Sequence, residues 1–246
     1  MRDDARVADI VQAGAIRLAL FLPQYTKDAN GALRGIGTGH IALEVVRALA
    51  ERLGVRMQVI EQPTPPEAVE CLKAGGCDVL FFGIEPSRVA QVDFTPPVFQ
   101  FDYTCLVPAG SSIQRFADAD QSGRRIAIVQ SHASALALKR IVKHAEFVGA
   151  ELPDEGFELL KAGKADAFAL PRDQLMDYSA TLPGSRVLDE AYGINRVAAA
   201  VRKGRAALLG YMSEFVEEAK ASGLVQRAID NGNMHEFQVS PPAGAQ

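Results

Sequence analysis

Compact apolar runs alternate along this chain with stretches whose apolar positions recur at helical spacing, and that alternation sets the expected architecture. Ile16–Leu22 (IRLALFL) is apolar enough for a buried parallel strand, entered through Gly14 and stopped by Pro23. After the Asn30-Gly31 turn and a glycine-rich GIGTG, the residues Ile41, Val45, Ala48, Leu49 and Leu53 share one helix face, closed by Gly54. Val55–Ile60 reads as a second strand, Pro66–Ala74 as a second helix and Val79–Phe82 as a third strand. Strands alternating with helices predict a parallel α/β sheet.

The pattern then echoes itself. Leu72-Lys-Ala-Gly-Gly-Cys-Asp78-Val precedes one apolar run, and Leu160-Lys-Ala-Gly-Lys-Ala-Asp166-Ala precedes another. In both, a helix ends at a glycine able to turn left-handed and an aspartate leads into a buried strand. Either the construction is made twice or a common helix-to-strand turn recurs by chance. Between the copies, Phe99–Val107 is extended and aromatic, and Ile126–Val129 is the next strand. The small polar residues around Ser131 open an expected helix Ala135–His144, a start suited to anions. Leu182-Pro183-Gly184-Ser185 is a turn and Val197–Val201 a returning strand. Leu208–Ala219 is an amphipathic helix ended near Gly223, Leu224–Ile229 is another helical piece, and Ser240–Gln246 is an expected disordered tail.

Composition narrows the function classes. With 246 residues, 48% hydrophobic and 23% charged, the chain can bury a full core, so disorder is not the default. A net charge of −4 with scattered basic residues gives no pull toward nucleic acid or anionic lipid. No apolar run is long enough to span a bilayer, and the opening MRDDARVADIVQAG carries acids where a secretory signal would be basic and then apolar. Three cysteines, Cys71, Cys77 and Cys105, include no C-x-x-C pair, and no histidines stand at ligand spacing, so no metal site is expected. They read as buried small hydrophobes, or Cys71 and Cys77 as a bridge in an oxidising compartment. The catalytic motifs G-x-S-x-G, H-E-x-x-H and the P-loop are absent, and His40 stands where a dinucleotide fingerprint needs its third glycine, so no cofactor is implied.

The candidate chemistry centres on Gly83–Pro97, GIEPSRVAQVDFTPP. Arg88 follows a buried apolar run in a loop, where its planar fork can hold a carboxylate through two parallel hydrogen bonds; a surface salt bridge with Asp93 is the plainer alternative. This stretch resembles the Arg-x-x-x-Val-Asp-Phe-Thr-x-Pro signature of the periplasmic solute-binding proteins that serve polar amino acid ABC importers, the bacterial extracellular solute-binding proteins of family 3. Further blocks follow in that family's order: Gly31-Ala-Leu-Arg-Gly35, Ala50-Glu-Arg-Leu-Gly54, Arg125-Ile-Ala-Ile-Val-Gln-Ser131, and Ala198-Ala-Ala-Val-Arg-Lys203-Gly204 with Ala221-Ser-Gly223.

The resemblance implies a type II periplasmic-binding fold, an α/β clamshell with two crossover strands, ligand between the lobes and closure on binding. The expected lobes are residues 1–100 with 197–246, and residues 104–193, joined by a hinge. It implies a ligand site of Arg88, Gly83, Glu85, Ser131, His132, Tyr25 and Phe82, with Arg88 on the carboxylate, the N–H groups of Ser131 and His132 opposite, and Tyr25 as an aromatic lid. It further implies a small-molecule carboxylate ligand, a membrane permease as partner, a monomer, and a periplasmic location with the signal already removed.

Two departures bear on the ligand. Pro171 stands where relatives that recognise an α-amino group carry an aspartate, and Gly37-Thr38 replace the acid expected in the opening block. Glu85 or Asp173 could restore the missing charge; without them a simple amino acid would bury its ammonium unpaired, so a carboxylate lacking that group is the expected ligand. The alternatives are a dehydratase of the cyclohexadienyl dehydratase type, with Glu85 and His132 as acid and base, and a ligand-sensing module.

Overall fold

The computed structural model describes residues 4–130 and 132–244. The chain runs through α1 (Ala8–Ala13), β1 (Ala15–Phe21), β2 (Tyr25–Lys27), β3 (Leu33–Gly35), α2 (Thr38–Leu53), β4 (Arg56–Gln62), α3 (Pro65–Ala74), β5 (Val79–Gly83), α4 (Pro86–Val89) and β6 (Val92–Val107). There follow α5 (Phe116–Ala119), β7 (Arg125–Val129), α6 (Ala133–Leu138), β8 (Glu146–Ala150), α7 (Pro153–Lys161), β9 (Ala167–Pro171), α8 (Arg172–Thr181), β10 (Arg186–Val187) and β11 (Gly193–Arg202). The chain closes with α9 (Ala206–Ala221), α10 (Leu224–Asn231) and β12 (Phe237–Val239). The α/β class expected from the alternating pattern is what forms. The residues group into two compact units, one holding the described chain up to Gln100 and from Arg196 on, the other Phe101–Asn195.

In the first unit β1 pairs in parallel with β4 and β5, while β5 pairs antiparallel with β11, Val197 lying opposite Gly83. β5 is Val-Leu-Phe-Phe-Gly and buried throughout, because both faces are covered. Leu80 and Phe82 join Ala19, Ala68, Val69, Leu72 and Ala200 in one cluster under α3. Val79 and Phe81 alternate with them and point the other way. Gly39 opens α2 close to the β1–β2 loop: a Cβ there would lie 2.0 Å from the Gln24 carbonyl oxygen, so only glycine fits.

The second unit is built on β6, β9, β7 and β8, with β9–β7 and β7–β8 parallel and β6–β9 antiparallel. The central strands β7 and β9 are buried on both faces beyond Arg125. Ile126, Ile128, Ala167 and Ala169 pack with Ala135 and Leu138 of α6, whereas Ala127, Val129, Phe168 and Leu170 pack with Phe157 and Leu160 of α7. α7 lies so close that a Cβ on Gly156 would sit 2.4 Å from the Phe168 ring.

The sequence echo is a structural repeat of one ion-paired turn. Asp78 accepts the backbone N–H of Arg17 at 2.8 Å and its guanidinium at 3.0 and 2.7 Å, while Arg17 also donates to the Gly75 carbonyl. In the second unit Asp166 accepts the Arg125 backbone N–H at 2.8 Å and its guanidinium at 3.3 and 3.4 Å, and Arg125 donates to the Gly163 carbonyl. Each aspartate thus ties the entry of its strand to the start of the neighbouring one. Gly75 and Gly163 hold the left-handed conformation required, at φ +75° and +64°.

Two expectations are corrected. The helix expected over Ala135–His144 ends at Leu138, because the amides of Lys143, His144 and Ala145 are taken by the Asp120 carboxylate and not by helical carbonyls. Within Ser240–Gln246, the part up to Gly244 is not a free tail. β12 pairs with β6, Ser240 is buried and donates its N–H to Val98, and Lys220 donates to the Pro241 carbonyl. All three cysteines are free thiols: Cys77 and Cys105 are buried as expected of small hydrophobes, and Cys71 is half-buried.

Candidate ligand-binding site

β5 delivers its last residue, Gly83, to the end of the sheet, where ligands of open α/β sheets gather. Ile84 then donates its N–H to the Arg196 carbonyl, which fixes the exit of the chain. Glu85 begins the single turn α4, with Pro86 in the first helical position, and its carbonyl accepts from the N–H groups of Arg88 and Val89. That turn brings Arg88 back over the strand it has just left. Its Nη1 donates to the Gly83 carbonyl at 2.9 Å, and its guanidinium carbon lies 4.5 Å from the centre of the Phe82 ring. Phe82 in turn stacks on Phe94 at 5.3 Å. The guanidinium is therefore pinned in plane by an aromatic platform and by one carbonyl, the preorganisation a bidentate anion site needs.

Phe82, Gly83, Glu85 and Arg88 are thus brought together by one strand and one turn. Glu85 is buried, only 7% exposed, which places a carboxyl group close to the Arg88 turn. Asp93, the alternative partner considered for Arg88, accepts the Gly204 N–H at 3.2 Å. Tyr25 opens β2 opposite Gly35. Burial and then Glu61 push its hydroxyl pKa up, and Glu61 also pairs with Lys27 at 2.8 Å. One residue earlier, Gln24 is 4% exposed and donates to the Phe81 carbonyl at 2.9 Å and to Thr38 Oγ1 at 3.0 Å. Nothing in the sequence marked Gln24, because its role rests on contacts 14 and 57 residues away in the chain.

In the second unit His132 caps α6 with its ring: Nδ1 accepts the Ser134 N–H at 3.1 Å and lies 2.8 Å from Ser134 Oγ. The imidazole packs edge-on to Tyr103, which stacks on Tyr192 at 6.0 Å. Burial holds the Tyr192 hydroxyl well above its ordinary pKa while it donates to the Ser134 carbonyl. Ser131, also expected in the site, lies outside the described residues. Pro171 ends β9, and Arg172 turns to the carbonyls of Leu188 and Asp189, with the Asp102 carboxylate at 3.7 Å. Asp173 follows in the first turn of α8. Among the described residues no group of His, Cys, Asp and Glu could hold a metal ion, and no helix is long and apolar enough to cross a membrane.

The profile of the bacterial extracellular solute-binding proteins, family 3, matches residues 20–231. The chain belongs to that family. Among curated relatives of this solute-binding protein, the glutamine-binding protein of a Bacillus subtilis ABC transporter is 26% identical over 172 residues, 66% of the chain, and the match spans only 60% of the relative's length. Among solved structures, an ancestral amino acid-binding protein described as a precursor of cyclohexadienyl dehydratase is 24% identical, with a TM-score of 0.70 over 92% of this chain and 97% of that one. The solute receptor for L-cysteine of Neisseria gonorrhoeae is 22% identical, with a TM-score of 0.72 over 94% of each chain. This family 3 solute-binding protein therefore has the type II periplasmic-binding fold that the motifs led one to expect.

Proposed function

We propose that this protein captures a small carboxylate, an amino acid or a related organic acid, with Arg88 on the carboxylate, and hands it to the membrane permease of an ABC importer in the periplasm. The observation that carries the reading is the pinned guanidinium of Arg88 at the end of β5, set by Phe82 and the Gly83 carbonyl. Family membership and the name of the Bacillus subtilis relative support capture and delivery over turnover. Tyr25, and the N–H groups at Ser131 and His132, belong to the proposal as further ligand contacts.

Which acid is bound turns on Pro171. The proline side chain supplies neither a negative charge nor a hydrogen-bond acceptor to an α-ammonium, so Glu85 or Asp173 must carry that contact for any amino acid ligand. Keto, hydroxy and aromatic acids are expected to bind better than simple polar amino acids. A ligand at a hundredfold excess over Kd stabilises by about 2.7 kcal/mol, readable as a melting shift in a screen of both classes. The largest shift from a standard α-amino acid would overturn the ligand preference and direct attention to Glu85. Arg88→Ala is expected to weaken binding roughly a hundredfold or more, since each charge-assisted bond contributes about 1.5–3 kcal/mol. Arg88→Lys should recover little, lacking the planar fork. Undiminished ligand shifts in both variants would sink the carboxylate assignment.

A further inference from the structure

Away from the ligand site, the connection from α3 to β5 holds two thiols in one tight turn. Cys71 lies in the last turns of α3, and its carbonyl accepts the Gly76 N–H at 2.8 Å as the chain reverses through Gly75. Its sulfur is folded over that reversal: a Cβ on Gly76 would stand 3.1 Å from Cys71 Sγ. Cys77 follows Gly76 directly and is 2% exposed, six residues from Cys71 along the chain. The turn between the two thiols is made by Gly75 and Gly76, with Cys71 Sγ lying over Gly76, the neighbour of Cys77, while Cys105 is buried in the core of the other unit.

We propose that Cys71 and Cys77 are an oxidisable pair that closes to a disulfide by exchange with an external disulfide donor, stapling the end of α3 to the start of β5. Cys71 is half-buried and Cys77 is not accessible, so Cys71 is the thiol that meets the donor. Burial also pushes the Cys77 thiol far up, which keeps it protonated until the exchange has begun. The Cys71 thiolate attacks one sulfur of the donor, forming a mixed disulfide and releasing the first donor thiol. Cys77 then loses its proton to solvent and attacks the Cys71 sulfur, releasing the second. Two protein thiols are oxidised and one donor disulfide is reduced to two thiols, with no other reactant.

The ring so formed constrains the segment leading into β5, the strand that ends at Gly83, and does not depend on what ligand is bound. The test uses the full folded protein and oxidised glutathione, followed by alkylation, intact mass and peptide mapping. The expected result is a loss of about 2 Da with no glutathione retained, a linked Cys71–Cys77 peptide, Cys105 alkylated on denaturation, and a melting point raised by about 5 °C that reductant reverses. Cys71→Ser and Cys77→Ser should each abolish the mass loss. Retention of two alkylatable thiols at these positions, a lasting glutathione adduct on Cys71, or a link through Cys105 would each overturn the proposal.

Discussion

Asparagine at Asp78 should destabilise the protein more than asparagine at Asp166, although the two aspartates occupy equivalent turns. Asp78 accepts three hydrogen bonds from Arg17 at 2.7–3.0 Å with its side chain 11% exposed, whereas the guanidinium bonds to Asp166 measure 3.3 and 3.4 Å and its side chain is 26% exposed. An asparagine keeps one acceptor for the backbone N–H but turns its amide donor toward the guanidinium, so the charge-assisted bonds are lost in both variants. Such bonds contribute about 1.5–3 kcal/mol each when buried, but both arginines are more than a third exposed and solvent screening cuts the value by half or more. The expected losses are then about 2–3 kcal/mol for Asp78→Asn and about 1 kcal/mol for Asp166→Asn. At about 2–4 °C per kcal/mol for a chain of this size, melting should fall by roughly 4–12 °C and 2–4 °C. Calorimetry reads the shifts. Hydrogen exchange at the Arg17 and Arg125 amides, both bonded to the aspartates, assigns each loss to its unit. Equal shifts, the reverse order, or faster exchange in the unit that was not mutated would refute the argument.

Gly156→Ala should cost about 1–3 kcal/mol by overpacking, because its Cβ meets the Phe168 ring at 2.4 Å; Phe168→Leu in the same chain should recover part of the loss in thermal melts, and an unchanged melting point would contradict the close packing of α7. Asp120 gives a pH signature. Burial raises its pKa, but the N–H groups of Ala145, His144 and Lys143 prevail and hold it below the usual carboxylate range. A depressed folded pKa means that the stabilisation is present above the unfolded value of about 3.9 and disappears as pH falls through the folded one. Asp120→Asn should therefore flatten the acid limb of a stability–pH profile, and a limb of unchanged steepness would show that other carboxylates govern it.

Much of the fold is legible because burial imprints itself locally. β5 is apolar at every position, since it is covered on both faces, and the amphipathic face of α2 with Gly54 after it marks a helix and its end. The turn around Arg88 was legible for a chemical reason, the placement of an arginine just past that strand. What stayed hidden depends on partners remote in sequence. The end of α6 is decided by Asp120, more than twenty residues earlier than the amides it captures. β12 is a strand only because β6 offers it an edge, and Gln24 is polar and unremarkable until Phe81 and Thr38 surround its amide. Residues expected to act alike in the site also behave differently: His132 spends its ring on capping α6, which the spacing of small polar residues suggested only for the backbone.

The split of the first unit has a consequence for synthesis. Every strand that the second unit needs emerges from the ribosome in one uninterrupted stretch, so that unit can complete itself while the chain is still growing. The first unit cannot, because β11, the neighbour of β5, arrives more than a hundred residues after it. Until then β5 offers an open, wholly apolar edge, the kind of surface that pairs with the wrong chain. The strand that leads into the Arg88 turn is thus the last to be enclosed, and nascent or refolding chains are most vulnerable to self-association there.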